Sequence, residues 1–265
     1  MTAAIIEARD LVKTYNGFAA VDRISFAVAE GAIFGFLGPN GAGKTTTLKM
    51  LTTVLAPTSG QLRVAGHDPA REPLLVRRSF GIVFQDSSLD GELTAYENME
   101  LHGILYDLPR AVRRERLEAL LRLVGLWERR DDYVKRFSGG MKRRLEIVRA
   151  LQHRPRILFL DEPTSGLDPQ TRNQIWDFIR GLSRDETVTV FFTTHYMEEA
   201  ERVADEIAVI DHGKIVAQGS AEALKGETGS RTLEDAFIAL TGLSIRADEA
   251  TPVDRMRMMR RVWRQ

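Results

Sequence analysis

One octet constrains this chain more than any other stretch: Gly38-Pro39-Asn40-Gly41-Ala42-Gly43-Lys44-Thr45. It fits the phosphate-binding loop pattern G-x-x-x-x-G-K-[ST] at every fixed position, and its context agrees. The apolar strand pattern Ala32–Leu37 runs into it, and the helical pattern Lys44–Leu51 leaves it. Glycines free the backbone to wrap an anion with its N–H groups turned inward. The helix start adds partial positive charge. In such a loop Lys44 would reach the β- and γ-phosphates, and the Thr45 hydroxyl would ligate Mg²⁺, with Thr46 in the same turn. A nucleoside triphosphate, ATP by expectation, is therefore the predicted ligand.

Further along, Ile157–Leu160 is a fully apolar strand that ends in Asp161 and Glu162. Acids at the carboxyl end of a buried strand stand where α/β folds hold ligands. Asp161 would hold the Mg²⁺, directly or through water. Glu162, on the opposite side of the strand, would polarise an attacking water as general base. Two acids at this position can also simply cap the turn at Pro163; the phosphate loop in the same chain favours the metal reading.

Short apolar runs alternate with helical patterns, which predicts an α/β class with a mainly parallel sheet. Strands are expected at Gln61–Val64, Phe80–Phe84, Thr187–Thr193 and Glu206–Ile210 as well as those above. Helices are expected at Ala95–Tyr106, Arg110–Val124, Gly140–Leu151, Gln170–Leu182 and Met197–Val203. Ile5–Val12 and Ile24–Val28 have no helix between them, and Asp10–Gly17 reads as a turn. An antiparallel β layer is thus expected before the nucleotide core, and a helical lobe over about residues 86–152. The nucleotide-binding domain would span 1–245, and a basic tail 246–265.

Composition removes several function classes. Lysine plus arginine equals aspartate plus glutamate at 37 each, so no global field favours nucleic acid or anionic lipid. There is no cysteine, hence no disulfide, thiolate metal site or cysteine nucleophile. Four of the five histidines, His67, His102, His153 and His212, lack the spacing of a metal cluster. No apolar run approaches the roughly 20 residues a membrane helix needs. A transport role would require a separate membrane polypeptide.

Phe137-Ser138-Gly139-Gly140-Met141 changes the reading from generic to specific. Ser138 is a helix-cap candidate, and the two glycine amides behind it make a second anion site. Two phosphate sites and one triphosphate are reconciled by a two-fold dimer, each nucleotide touching the loop of one chain and this turn of the other. That arrangement, with its ordered motifs, resembles the ATP-binding cassette (ABC) family over roughly residues 5–242. The resemblance implies adenine stacking by Tyr15, a Mg²⁺- and water-sensing role for Gln85, and phosphate contact by Ser138, Gly139 and Gly140. It further implies that Asp168, in Gly166-Leu167-Asp168, couples the two sites, and that His195 is the switch histidine at the γ-phosphate. Glu162, His195 and Gln85 are thus the expected catalytic set, and Thr45, Gln85 and Asp161 the expected metal set. Phe137 and Met141 depart from the leucine and glutamine usual at those positions.

Leu93–Asn98, Leu101–Leu108, Thr232–Phe237 and Leu240–Gly242 resemble bacterial exporters of the daunorubicin-resistance type. This implies an ATPase subunit working as a head-to-tail homodimer on a separate integral membrane permease, peripheral to the cytoplasmic face of the cell membrane. A drug-like or lipophilic cargo would be exported, and no nucleic acid is expected as partner. The tail sets Met256, Met259 and Trp263 at helical spacing among arginines, as a lipid-facing segment or a frayed end would. Two rivals remain. A soluble ABC ATPase would be expected to carry long coiled coils or a second cassette, and a small-molecule kinase leaves Ser138–Gly140 and His195 without a role.

Overall fold

The computed structural model describes residues 4–186 and 188–242. Strands β1 (Ala4–Tyr15) and β2 (Phe18–Ala29) form an antiparallel hairpin. Its two-residue loop is Asn16-Gly17, with φ of 47° and 84°, the pair of positive angles a type I′ turn needs. The turn expected over Asp10–Gly17 is therefore confined to these two residues, and Asp10–Tyr15 is strand. The polar stretch stays in the ladder through a register shift between Ala8 and Leu11. Asp10 sits there at φ 47°, its N–H held by the Ser25 hydroxyl at 2.9 Å.

β3 (Ile33–Leu37) follows, buried at all five positions, and passes through the glycine loop into α1 (Lys44–Leu51). β4 (Ser59–Val64) returns to β1, completing an antiparallel sheet ordered β2-β1-β4. After the short helix α2 (Pro73–Ser79) comes β5 (Phe80–Val83). Three helices intervene before the next strand: α3 (Ala95–Leu105), α4 (Arg110–Leu123) and α5 (Gly139–Ala150). Thr94 starts α3 with a reciprocal capping box to Glu97. The alternation then resumes with β6 (Ile157–Asp161), α6 (Pro169–Glu186), β7 (Thr189–Thr194), α7 (Met197–Val203) and β8 (Glu206–Asp211). β9 (Lys214–Gly219), α8 (Ala221–Thr228) and α9 (Leu233–Thr241) complete the described chain.

The second sheet runs β5-β6-β7-β3-β8-β9, parallel except for β9, which pairs antiparallel to β8. The fold is α/β with a mainly parallel sheet and an antiparallel layer, as expected. Alternation along the strands sorts side chains to two faces. Phe34 and Phe36 of β3, Phe159 of β6 and Phe191 of β7 point toward the antiparallel sheet, where Phe26 of β2 packs among them. Ring centroids there lie 5.5–6.1 Å apart. Ile33, Leu37, Leu158 and Leu160 face the helices, where Trp176 of α6 meets Phe192 edge-on at 4.7 Å. Each such buried aromatic or aliphatic side chain contributes about 1.5–3 kcal/mol. Both layers fix the carboxyl edge of the parallel strands, and the site lies along that edge.

Boundaries differ from expectation only at the ends of most elements. The predicted first residue of β7, Thr187, lies outside the described residues, as do the boundary at 245 and the tail with Met256, Met259 and Trp263. Among the described residues no helix is long and apolar enough to cross a membrane.

Candidate active site

The glycine loop owes its shape to close packing. A Cβ on Gly38 would stand 2.3 Å from the Ile210 carbonyl oxygen, and one on Gly43 2.6 Å from that of Ala20. Gly43 also has φ 112°, which side chains rarely adopt. As the residue before α1 it offers no side-chain cap, so the amides of the first turn have no side chain from Gly43 across them. Lys44 projects back into the loop and donates to the carbonyls of Gly38 at 2.7 Å and Pro39 at 3.2 Å.

Two acids close the other side. Asp161 ends β6, and burial pushes its carboxyl up, against a hydrogen bond from the Thr193 hydroxyl at 2.5 Å. Glu162 follows at φ 48°, an uncommon angle for a residue with a side chain. Its N–H is held by the Thr193 carbonyl at 3.1 Å and the Thr193 hydroxyl at 3.2 Å. Its Oε1 lies 3.7 Å from Lys44 Nζ. Oε2 lies 2.9 Å from His195 Nδ1 without hydrogen-bond alignment, so this buried oxygen has no hydrogen-bond partner. A buried oxygen in that state is costly and marks a position made for a further donor.

These groups wall a cavity of about 390 Å³. The predicted residues Pro39, Asn40, Gly41, Gly43, Lys44, Thr45, Thr46, Gln85, Glu162 and His195 line it. Gly38 and Ala42 shape it from behind, and Asp161 is buried beside Glu162. Ala20, Ser165 and Tyr196 line it too, and sequence reasoning missed them. Ser165 and Tyr196 adjoin the motif residues Gly166 and His195, which was the one hint of them, while Ala20 on β2 has no motif beside it. Tyr15 stands outside the cavity wall at the hairpin tip, 43% exposed, with Lys13 Nζ 5.4 Å from its ring centre.

Ser138, Gly139 and Gly140 stand apart from this cavity. Ser138 caps α5 by accepting from the Met141 N–H at 3.3 Å, and Ser138 and Gly139 are exposed. Gly140 is pressed against α6, where a Cβ would meet Thr171 Cγ2 at 2.4 Å. Thr171 in turn donates its hydroxyl to Asp168 at 2.6 Å, which holds that carboxyl below its ordinary value. Behind the acids, buried Glu199 accepts from Thr164 at 2.7 and 2.8 Å and lies 3.2 Å from Arg172. Burial raises its pKa, and those two neighbours oppose the rise.

The chain matches the family described as "ABC transporter" over residues 21–165. It belongs to that family. The daunorubicin/doxorubicin resistance ATP-binding protein of Streptomyces peucetius is 48% identical over 228 residues, 86% of this chain and 69% of that one. The Nod factor export ATP-binding protein I of Ralstonia nicotianae is 42% identical over 231 residues, 87% and 72% of the two chains. Among solved structures, an ATP-binding subunit of an ABC transporter superimposes with TM-score 0.80 at 29% identity, covering 89% of this chain and 99% of that one. A dimeric cassette in a post-hydrolysis state, bound to ADP and Pi, gives 0.73 at 27%, covering 81% and 98%. The chain is thus an ATP-binding subunit of this family and an ATPase.

Proposed function

We propose that this subunit drives export of a drug-like or lipophilic compound through a separate membrane permease, as a head-to-tail dimer closed by ATP. The observation that carries the reading is the exposed Ser138-Gly139 turn, a serine-capped helix start that lies outside its own chain's cavity. A partner's nucleotide is the group that suits it. Asp168 shares that surface through Thr171 and would couple the two sites. The names of the relatives, drug resistance and Nod factor export, support the direction and the kind of cargo.

Within one cavity, Lys44 would leave the loop carbonyls for the phosphates, and Thr45 and Asp161 would hold Mg²⁺, with Gln85 at its edge. The uncapped first turn of α1 and the buried oxygens of Asp161 and Glu162 suit a magnesium-bound triphosphate. The metal's contribution is neutralisation of charge on the transferring phosphoryl group. Glu162 would orient and deprotonate the attacking water, and His195, beside it, would hold the γ-phosphate end. Tyr15, at the hairpin tip, would stack on adenine.

The permease would meet the groove where α3 and the segment after β5 join the core. It has about 310 Å³ and is lined by Val54, Arg77, Phe80, Ile82, Phe84 and Tyr106. Leu101, Ile104 and Leu105 of α3 are exposed, with Leu105 at 72%. Helices α3–α5 would then act as a lobe that carries motion between groove and site, on the cytoplasmic face of the membrane. The test is recovery of Glu162→Gln protein from membranes of its own organism with ATP and Mg²⁺. Stoichiometric recovery of an integral membrane protein supports the reading; recovery of soluble partners alone overturns it.

A further inference from the structure

Helix α5 hides two charges that the nucleotide site does not use directly. Arg143 and Glu146 have side chains only 8% and 3% exposed, and pair at 3.1 Å. Removing two charges from water is expensive unless their remaining hydrogen bonds are met. Here they are met by main-chain atoms of one short segment. Arg143 donates to the Phe84 carbonyl at 2.7 Å and the Gln85 carbonyl at 3.1 Å. Glu146 accepts from the Ser88 N–H at 2.9 Å. Arg149, one turn further, donates to the Ser88 carbonyl at 3.0 Å and to the Ser88 hydroxyl. The segment itself is exposed at each position from Phe84 to Ser88, so side-chain burial does little to hold it.

The same helix begins at Ser138-Gly139-Gly140, and Arg143 is five residues on, roughly 7.5 Å along the axis. Gln85 lines the cavity across from Lys44 and Glu162. One helix thus carries the outward-facing turn at its start and, less than two turns later, the grip on the loop of an inward-facing residue. A guanidinium fork held on two carbonyls is directional, so a shift of α5 carries the Gln85 backbone with it.

We propose that Arg143 and Glu146 are positioning residues for hydrolysis, locking the Gln85 loop to the helix that bears the Ser138 turn. Seating of that turn on a partner's nucleotide then sets Gln85 in the protomer's own cavity, so each site reports its occupancy to the other. The cross-talk rests on the head-to-tail dimer proposed above; the grip on Gln85 is a matter of one chain.

The experiment is steady-state ATPase on full-length protein for wild type, Arg143→Gln, Arg143→Lys, Gln85→Ala and Arg143→Gln/Gln85→Ala. A further pair, Arg143→Met/Glu146→Leu with and without Gln85→Ala, removes both charges while keeping the helix packed, a replacement that cores often tolerate. For Arg143→Gln and the Met/Leu variant we expect kcat to fall about tenfold or more, with KM for ATP within about threefold. Adding either change to Gln85→Ala should cost less than about twofold, because the lost function is the same one. Arg143→Lys should recover part of the rate. The Hill coefficient for ATP should drop toward one. Unchanged kcat, or losses that multiply with that of Gln85→Ala, overturns the grip on Gln85; a Hill coefficient that stays at its wild-type value overturns the cross-talk. Gel filtration of Glu162→Gln with ATP and Mg²⁺ separates the two readings. A monomer there defeats the dimer and with it the cross-talk, and the double-variant kinetics then judge the grip on Gln85 by themselves.

Discussion

Lys44 Nζ and Glu162 Oε1 lie 3.7 Å apart, with both side chains more than nine-tenths buried. In the proposed reaction each would give way to the other's partner: the cation to a bound water or metal, the carboxylate to a phosphate. Glu162→Gln keeps the shape and removes the base. We expect ATP hydrolysis to fall at least about 100-fold, within the range general bases supply, while ATP binding persists. Steady-state phosphate release and gel filtration with ATP check both halves, and retention of more than a tenth of the rate defeats the assignment.

Tyr15 is exposed at a hairpin tip, and Lys13 Nζ lies 5.4 Å from its ring centre. Tyr15→Ala should leave the melting temperature nearly unchanged. Loss of a stacked base costs roughly 1–3 kcal/mol, so nucleotide affinity should weaken by about fivefold or more. Titration with ATP measures it. Equal affinity in the variant would move adenine elsewhere.

Gly38 and Gly226 separate crowding from freedom. At Gly38 a Cβ meets a backbone oxygen of β8, which cannot rotate away. Gly38→Ala should destabilise by about 1–3 kcal/mol and weaken ATP binding as the loop shifts. Gly226, within α8, has open space around a Cβ. Gly226→Ala should stabilise by about 0.5–1 kcal/mol without touching ATPase activity. Urea denaturation of the two variants should move in opposite directions.

His102 and His153 flank Tyr106, with the Tyr106 and His153 rings stacked at 3.8 Å. Burial lowers the pKa of His102 to about 3 and of His153 to about 4, helped by Arg149 and Arg116 respectively. Unfolded histidine titrates near 6.5, so between that value and about pH 3 the unfolded chain binds more protons than the folded one. Their contribution to stability is present above pH 6.5 and is lost as pH falls through this window. Thermal melts from pH 7.5 to 4.5 should show it. His153→Gln should flatten the decline; an unchanged slope would put the acid sensitivity on other groups.

The glycine loop was legible because its chemistry and its fold demand the same residues. The loop needs glycine both for φ at Gly43 and for clearance at Gly38, and the strand before it is apolar on both faces. β9 was not legible, since this edge strand buries no face fully and carries Lys214 and Gln218 among its few apolar residues. α2 and α8 bury only Val76, and only Ala221 and Leu224, respectively, too few positions to draw an apolar stripe at helical spacing. Arg143 and Glu146 were hidden for the opposite reason. Charges three apart on a helix read as a solvated face, and only the position of the Gln85 loop turns that face inward.

Thr171 fills the space that a Cβ on Gly140 would take, and its hydroxyl holds Asp168. The two elements that the proposed dimer would offer to a partner chain therefore rest on one threonine. Were this cassette to prefer a different partner over its own copy, a change at the turn would also disturb the aspartate, and the reverse. Divergence toward an unlike pair should be readable as joint replacement at positions 140, 168 and 171, with glycine at 140 retained wherever threonine stays.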